Sequence, residues 1–188
     1  AKYDVMCSGA TNRRLKVTGT FDRCGQVNDG TTLANIYRGA GTTRAPYFSA
    51  IGATFEASSG SDVLVSSNIY GRHVTNATPG LLVTQCTFNS ISYPVNHLWP
   101  TDAAVLNAGP PQIFGNRRHT SMSSTTYDFD PDQGACFTVG GVYTIVRTSV
   151  PGSGEFPVGS RWISPSPSVG QNYEAVKTTS GAWVFKVL

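Results

Sequence analysis

The sequence predicts an all-β chain whose strands stack in a repeating solenoid. Three observations carry that expectation: a two-feature repeat, period-2 alternation within it, and a composition of turn and strand residues. Thr20-Phe21 recurs as Thr54-Phe55 and Thr87-Phe88, and Asn35-Ile36-Tyr37 as Asn68-Ile69-Tyr70, a period of about 33 residues. The interval from Ile36 to Phe55 equals that from Ile69 to Phe88, so two features keep one phase. A strand–turn–strand unit that cannot bury its own inner face must stack on its neighbours. An antiparallel sandwich or jelly roll can show similar alternation, but it gives no reason for the shared phase.

The first strand surrounds Thr20-Phe21, with Val17, Gly19 and Phe21 inward and Thr18, Thr20 and Asp22 outward. The next short strand is Asn35-Ile36-Tyr37, followed by the turn residues Gly39-Ala40-Gly41 and Ala45-Pro46. The second Thr-Phe strand places Ile51, Ala53 and Phe55 inward and Gly52, Thr54 and Glu56 outward. After Asn68-Ile69-Tyr70 and Pro79-Gly80, the third places Thr84, Cys86 and Phe88 inward and Gln85, Thr87 and Asn89 outward. One face is small or apolar and the other polar, as a half-buried strand requires. Phe21, Phe55 and Phe88 are expected to stack as an internal aromatic ladder, and Ile36 with Ile69 as an aliphatic one.

Beyond residue 90 the repeat fades. Residues 91–120 read as loop-rich, with strands returning at 125–130 and 135–150, the latter broken at Gly140-Gly141. The tail reads as strands around Arg161-Trp162-Ile163, at 172–179 and at 182–188, with Ser180-Gly181 as a turn. The expected organisation is solenoid coils with a loop-rich end over 1–120 and a carboxy-terminal β cap module over 121–188, with Trp162 and Trp183 in the module's core.

The coil Leu82-Val83-Thr84-Gln85-Cys86-Thr87-Phe88-Asn89 is followed much later by the ending Pro157-Val158-Gly159-Ser160-Arg161, Pro167-Ser168-Val169-Gly170-Gln171 and Gly181-Ala182-Trp183-Val184. These segments resemble the distal part of bacteriophage tailspikes and related pectate-lyase-like proteins. The resemblance implies a right-handed parallel β-helix that forms a homotrimer on the phage tail of the virion, folded in the host cytoplasm. It also implies binding, and often cleavage, of host capsular polysaccharide or lipopolysaccharide. An amino-terminal cap or virion-anchoring domain is not recognisable, so the chain is expected to be part of something longer.

Composition narrows the partners. Charged residues make up 13% of the chain, about half the roughly 25% of an ordinary soluble domain. The net charge of +3 is scattered apart from Arg13-Arg14 with Lys16 and Arg117-Arg118 with His119. Nucleic-acid binding needs a concentrated basic patch, so none is expected. No apolar run approaches the roughly 20 residues of a membrane span, and Ala1-Lys2-Tyr3-Asp4 does not read as a signal peptide. Cys7, Cys24, Cys86 and Cys136 lack zinc-site or disulfide-scaffold spacing. They suit a reducing compartment, with Cys86 a small buried thiol; the lone sequon at Asn76 is too common a pattern to indicate secretion.

Candidate chemistry then follows from the ladders. Asp22 and Glu56 hold equivalent outward positions, and glycoside hydrolysis needs two carboxyl groups about 5–5.5 Å apart for retention or 6.5–9.5 Å for inversion. A coil of about 33 residues puts this pair on adjacent rungs about 4.8 Å apart, and a coil of about 17 doubles that. Tyr37, Tyr70, Asn35 and Asn68 offer rings and amides to a sugar's apolar faces and hydroxyls, and Trp99 beside Pro100 is a further platform. The plainer reading is a solvated acid pair and rings that merely stack on one another. Asp128, Asp130 and Asp132 superficially resemble a calcium loop, but the glycine such a loop needs at position six comes one residue late, at Gly134. A strand ending in a Pro-Asp turn fits better, and no metal or cofactor is expected. His73, His97 and His119 have neither metal-ligand spacing nor a nucleophile elbow beside them. The alternatives to a polysaccharide depolymerase are a non-enzymatic trimerisation or receptor-binding tip module, or a small viral jelly-roll coat protein.

Overall fold

The computed structural model describes residues 5–7, 14–22, 34–38, 47–56, 67–71, 80–89, 93–97, 111–118, 127–152 and 156–188. These residues are all-β, with no helix among them. In chain order the first strands are β1 (Val5–Cys7), β2 (Arg14–Asp22), β3 (Ala34–Arg38), β4 (Tyr47–Glu56) and β5 (Ser67–Gly71). Next come β6 (Leu81–Thr84), β7 (Thr87–Phe88), β8 (Val95–His97), β9 (Gln112–Phe114) and β10 (Arg117–Arg118). The last are β11 (Ala135–Val139), β12 (Val142–Val146), β13 (Arg161–Ile163), β14 (Asn172–Lys177) and β15 (Trp183–Val187).

The chain alternates between two sheets. β1, β3, β5 and β8 form the smaller one, while β2, β4, β6, β7, β9 and β10 belong to the larger. Every pairing among these ten strands is parallel. Ile36 pairs with Ile69 and Ala50 with Val83, each one full period of the repeat apart. The sequence repeat is therefore the step between neighbouring rungs, and no strand intervenes between equivalent residues. Parallel strands need long crossovers, which the segments between these strands supply.

The in-register stack concentrates identical side chains inside. Phe21 and Phe55 stack with centroids 5.1 Å apart, and Phe55 and Phe88 with centroids 5.9 Å apart, as the repeat predicts. Ile36, Ile69 and Val95 form the facing aliphatic column, each at most 1% exposed. Burying one such side chain contributes about 1.5–3 kcal/mol.

The predicted inward positions need correction at one corner. Ala50 and Val83 are buried, whereas Ile51 and Thr84, expected inward, are half-buried. The cause is a left-handed residue in each rung: Gly52 (φ 66°), Gln85 (φ 57°) and Gly115 (φ 64°) occupy equivalent register positions. Such a residue bends the strand and shifts the alternation by one, so that Ala53 and Cys86 point inward again. Gly19 (φ 100°) sits at the same corner of the first rung and is exposed, not inward. Asn89, expected outward, is buried, because β7 ends at Phe88 and its alternation does not extend further.

Asn116 ties this corner together. Its Oδ1 accepts from the Cys86 N–H at 3.0 Å, and its Nδ2 donates to the Val83 carbonyl at 3.3 Å. One side chain thus satisfies two backbone groups that the bend removes from the ladder.

The carboxy-terminal part turns antiparallel. Phe129 bridges Val95 and, with Ala135, packs into the first core, whereas Cys136 belongs to a second. β11 continues the larger sheet beside β9 and pairs antiparallel with β12 through Gly140-Gly141. Both glycines have positive φ, which a two-residue hairpin turn requires. β12 pairs parallel with β13, and β13, β14 and β15 follow antiparallel. Ile145, Trp162, Ala175 and Phe156 form the second core with Tyr143 and Trp183 packed against it, as expected for both tryptophans. Trp162 Nε1 donates to the Arg147 carbonyl at 2.8 Å, satisfying the indole's only donor.

Candidate functional site

The tyrosines of the repeat fall into one register column. Met6 pairs with Tyr37, Tyr37 with Tyr70, and Tyr70 with Asn96. Their neighbours Ile36, Ile69 and Val95 are buried inside, and the pleat assigns alternate positions to the opposite face. Asn35 and Asn68 each precede a paired isoleucine and therefore share a register position one step earlier in the column. Asn96 is a member that sequence reasoning missed. The step from Tyr70 to Asn96 is shorter than the step from Tyr37 to Tyr70, so Asn96 falls outside the phase of the repeat. Its Oδ1 is buried and has no hydrogen-bond partner among the described residues.

Tyr93 lies near Tyr127, Asp130 and Asp132, which flank Phe129. Burial raises the Tyr93 hydroxyl above its ordinary value, and the charges of Asp130 and Asp132 together with Tyr127 raise it further. Tyr127 donates to the Pro165 carbonyl and meets Ser166 Oγ at 2.9 Å, tying this rung to the loop between β13 and β14. Neither tyrosine carries a repeat signature, so only the fold reveals their place.

On the larger sheet, Asp22 and Glu56 are direct register partners at the ends of β2 and β4. The sheet spacing puts their backbones about 4.8 Å apart. Thr20, Thr54 and Thr87 form the row before them, and Arg117 continues it. Asn89, two positions beyond Thr87, is 3% exposed.

Two other candidates resolve into structural roles. The Arg118 guanidinium meets Asp128 at 3.1 Å, and Asp130 Oδ1 accepts from the Asp132 N–H at 3.1 Å within a turn over residues 131–133. Among the described residues no group of three or more His, Cys, Asp or Glu is placed to hold a metal. The Cys86 thiol is fully buried and donates weakly to the Ala50 and Thr84 carbonyls. Burial raises it above its ordinary value. Burial raises Cys136 as well. His97 is buried inside the fold at 1% exposure. Trp99, His73, Asn76 and His119 lie outside the described residues.

No family model matches this chain, and neither does any curated protein or solved structure.

Proposed function

We propose that this chain is a tailspike-type right-handed parallel β-helix that grips an extended host surface polysaccharide along its stacked rungs. The observation that carries the reading is the direct register pairing of Tyr37 with Tyr70 on neighbouring rungs. Rungs spaced about 4.8 Å apart repeat one contact along a line, which suits a polymer of repeating sugars. Rings offer faces for the apolar sides of pyranoses, and amides pair with hydroxyls. Asn35 and Asn68 set two such amides in register beside the two rings.

The direct pairing of Asp22 with Glu56 supports a hydrolytic extension of the same reading. Adjacent-rung spacing lies nearer the roughly 5–5.5 Å of a retaining carboxyl pair than the 6.5–9.5 Å of an inverting one. One carboxyl group would then act as acid and base while the other attacks the anomeric carbon.

The test incubates the chain with purified capsule and lipopolysaccharide of candidate hosts and measures binding and new reducing ends. Replacing Tyr37 and Tyr70 with Ala is expected to weaken binding by roughly two- to tenfold per ring. Asp22→Asn or Glu56→Gln is expected to leave binding intact and lower cleavage by at least about 100-fold. Unchanged binding in the tyrosine variants would sink the gripping role. Parent-rate cleavage in the carboxylate variants would reduce the acids to surface charge.

A further inference from the structure

We infer that the outer edge of β15 is an interface for a second copy of this chain, paired antiparallel about a two-fold axis at Phe185. β15 ends the order of the larger sheet, and its side chains are open: Val184 is 58% exposed, Phe185 41% and Val187 61%. Solitary edge strands are normally blunted by free charge, proline or a bulge on the edge itself. β15 carries one charge, Lys186, and that ammonium is engaged by Glu174 of β14 at 3.3 Å.

The hydrogen-bonding parity selects the register. Ala182 accepts from the Thr178 N–H, while Leu188 donates to Gln171 and accepts from Gly170. Both even-numbered ends therefore turn their amide groups inward, toward β14 and the turn that leads into it. Alternation along an antiparallel strand then turns the N–H and C=O groups of Trp183, Phe185 and Val187 outward. Pairing centred on Phe185 sets Phe185 against Phe185 of the partner subunit and Trp183 against Val187 of the partner subunit. All three outward residues meet outward residues, so each finds both its donor and its acceptor. The same register sets Lys186 opposite Val184 of the partner subunit, which keeps the two lysines apart. A strand that is self-complementary in hydrogen bonds, apolar contacts and charge fits its own copy. The resulting two-fold pair differs from the three-fold assembly that the sequence resemblance implies.

Sedimentation velocity of the full chain across the micromolar range tests the interface, with circular dichroism checking each variant's fold. The parent is expected to be dimeric. Val184→Lys places two lysines opposite each other twice per dimer and is expected to raise the dimer Kd about tenfold. Val184→Glu, facing Lys186 of the partner subunit, is expected to dimerise at least as tightly as the parent. Val187→Pro removes one outward N–H without touching a bond to β14 and is expected to weaken the dimer, which decides the matter should Val184→Lys fail to fold. A monomeric parent, equal weakening by Lys and Glu, a trimer indifferent to all three changes, or parental dimerisation by Val187→Pro would each overturn the proposal.

Discussion

Asn116 shows how one side chain can hold a parallel corner. It answers a donor and an acceptor on the preceding rung, and Cys86, whose N–H it accepts, is fully buried. Asn116→Ala leaves both groups without that partner and is expected to cost about 1–3 kcal/mol, read as a lower urea midpoint. At the same corner Gln85 holds φ 57° where its equivalents are glycine. Glu174 makes a second localised contribution. Its carboxylate lies 2.6 Å from Arg161 Nε and 3.3 Å from Lys186 Nζ. The hydrogen bond from Arg161 is the main reason its carboxyl sits below the ordinary 4.5, with Lys186 adding to it against a partial desolvation penalty. A carboxyl lowered in the folded state binds its proton more readily when unfolded. The network therefore stabilises the fold above pH 4.5, and that stability is lost as pH falls through the lower folded value. Denaturation midpoints measured against pH should show this limb, and Glu174→Gln should flatten it.

At the scale of elements, the rungs are coupled through their inner columns. Phe55 is fully buried between Phe21 and Phe88, whereas Phe21 is half-buried at the end of the stack. Phe55→Ala removes a ring that has neighbours on both sides and is expected to cost about 3–5 kcal/mol. Phe21→Ala should cost less, because its ring has only one described ring neighbour. Equal losses in urea titrations would mean that the stack contributes no more than its separate rings. Gly134 marks a different constraint between elements. A Cβ there would approach Arg147 Cβ to 2.7 Å and the Val146 carbonyl to 2.9 Å, so the turn into β11 passes too close to the end of β12 for any side chain.

Across the whole molecule, one larger sheet runs from the parallel rungs into the antiparallel module without a break. Two cores lie along it, one built on Phe48, Phe55 and Phe88 and the other on Ile145 and Trp162. Because β11 pairs with both β9 and β12, the module covers the β9 edge of the last parallel rung and adds a terminal edge of its own, β15. Carbohydrate binding and self-association would then occupy different parts of the chain. Val184→Lys is therefore expected to leave oligosaccharide affinity per chain unchanged, measured by calorimetry on the same preparation used for sedimentation. A parallel loss of both properties would show that the two surfaces are not independent.

Residues 91–120, read as loop-rich, hold the short strands β8, β9 and β10, and the strand read at 125–130 is, among the described residues, an isolated bridge at Phe129. The strands of the repeat, the aromatic ladder and the Ile36–Ile69 column were legible in the sequence, and adjacent-rung pairing of Asp22 with Glu56 was one of the two spacings it allowed. Each rests on a short period and a repeated local motif, both of which are one-dimensional signals. The tyrosine column was legible for the same reason, but only through Tyr70. The steps from Ile69 to Val95 and from Val83 to Ile113 are both shorter than the step from Ile36 to Ile69. The ladders continue across those steps while the motif does not, so Asn96, Tyr93 and Asn116 were invisible before folding. The slip at Gly52, Gln85 and Gly115 was hidden for a related reason. Alternation is a property of straight strands, and a left-handed residue between two short ones resets it without changing the repeat length. Residue types and their spacing determined what could stack; the crossovers decided which residues meet, because a parallel ladder tolerates any connection length that returns the chain in register.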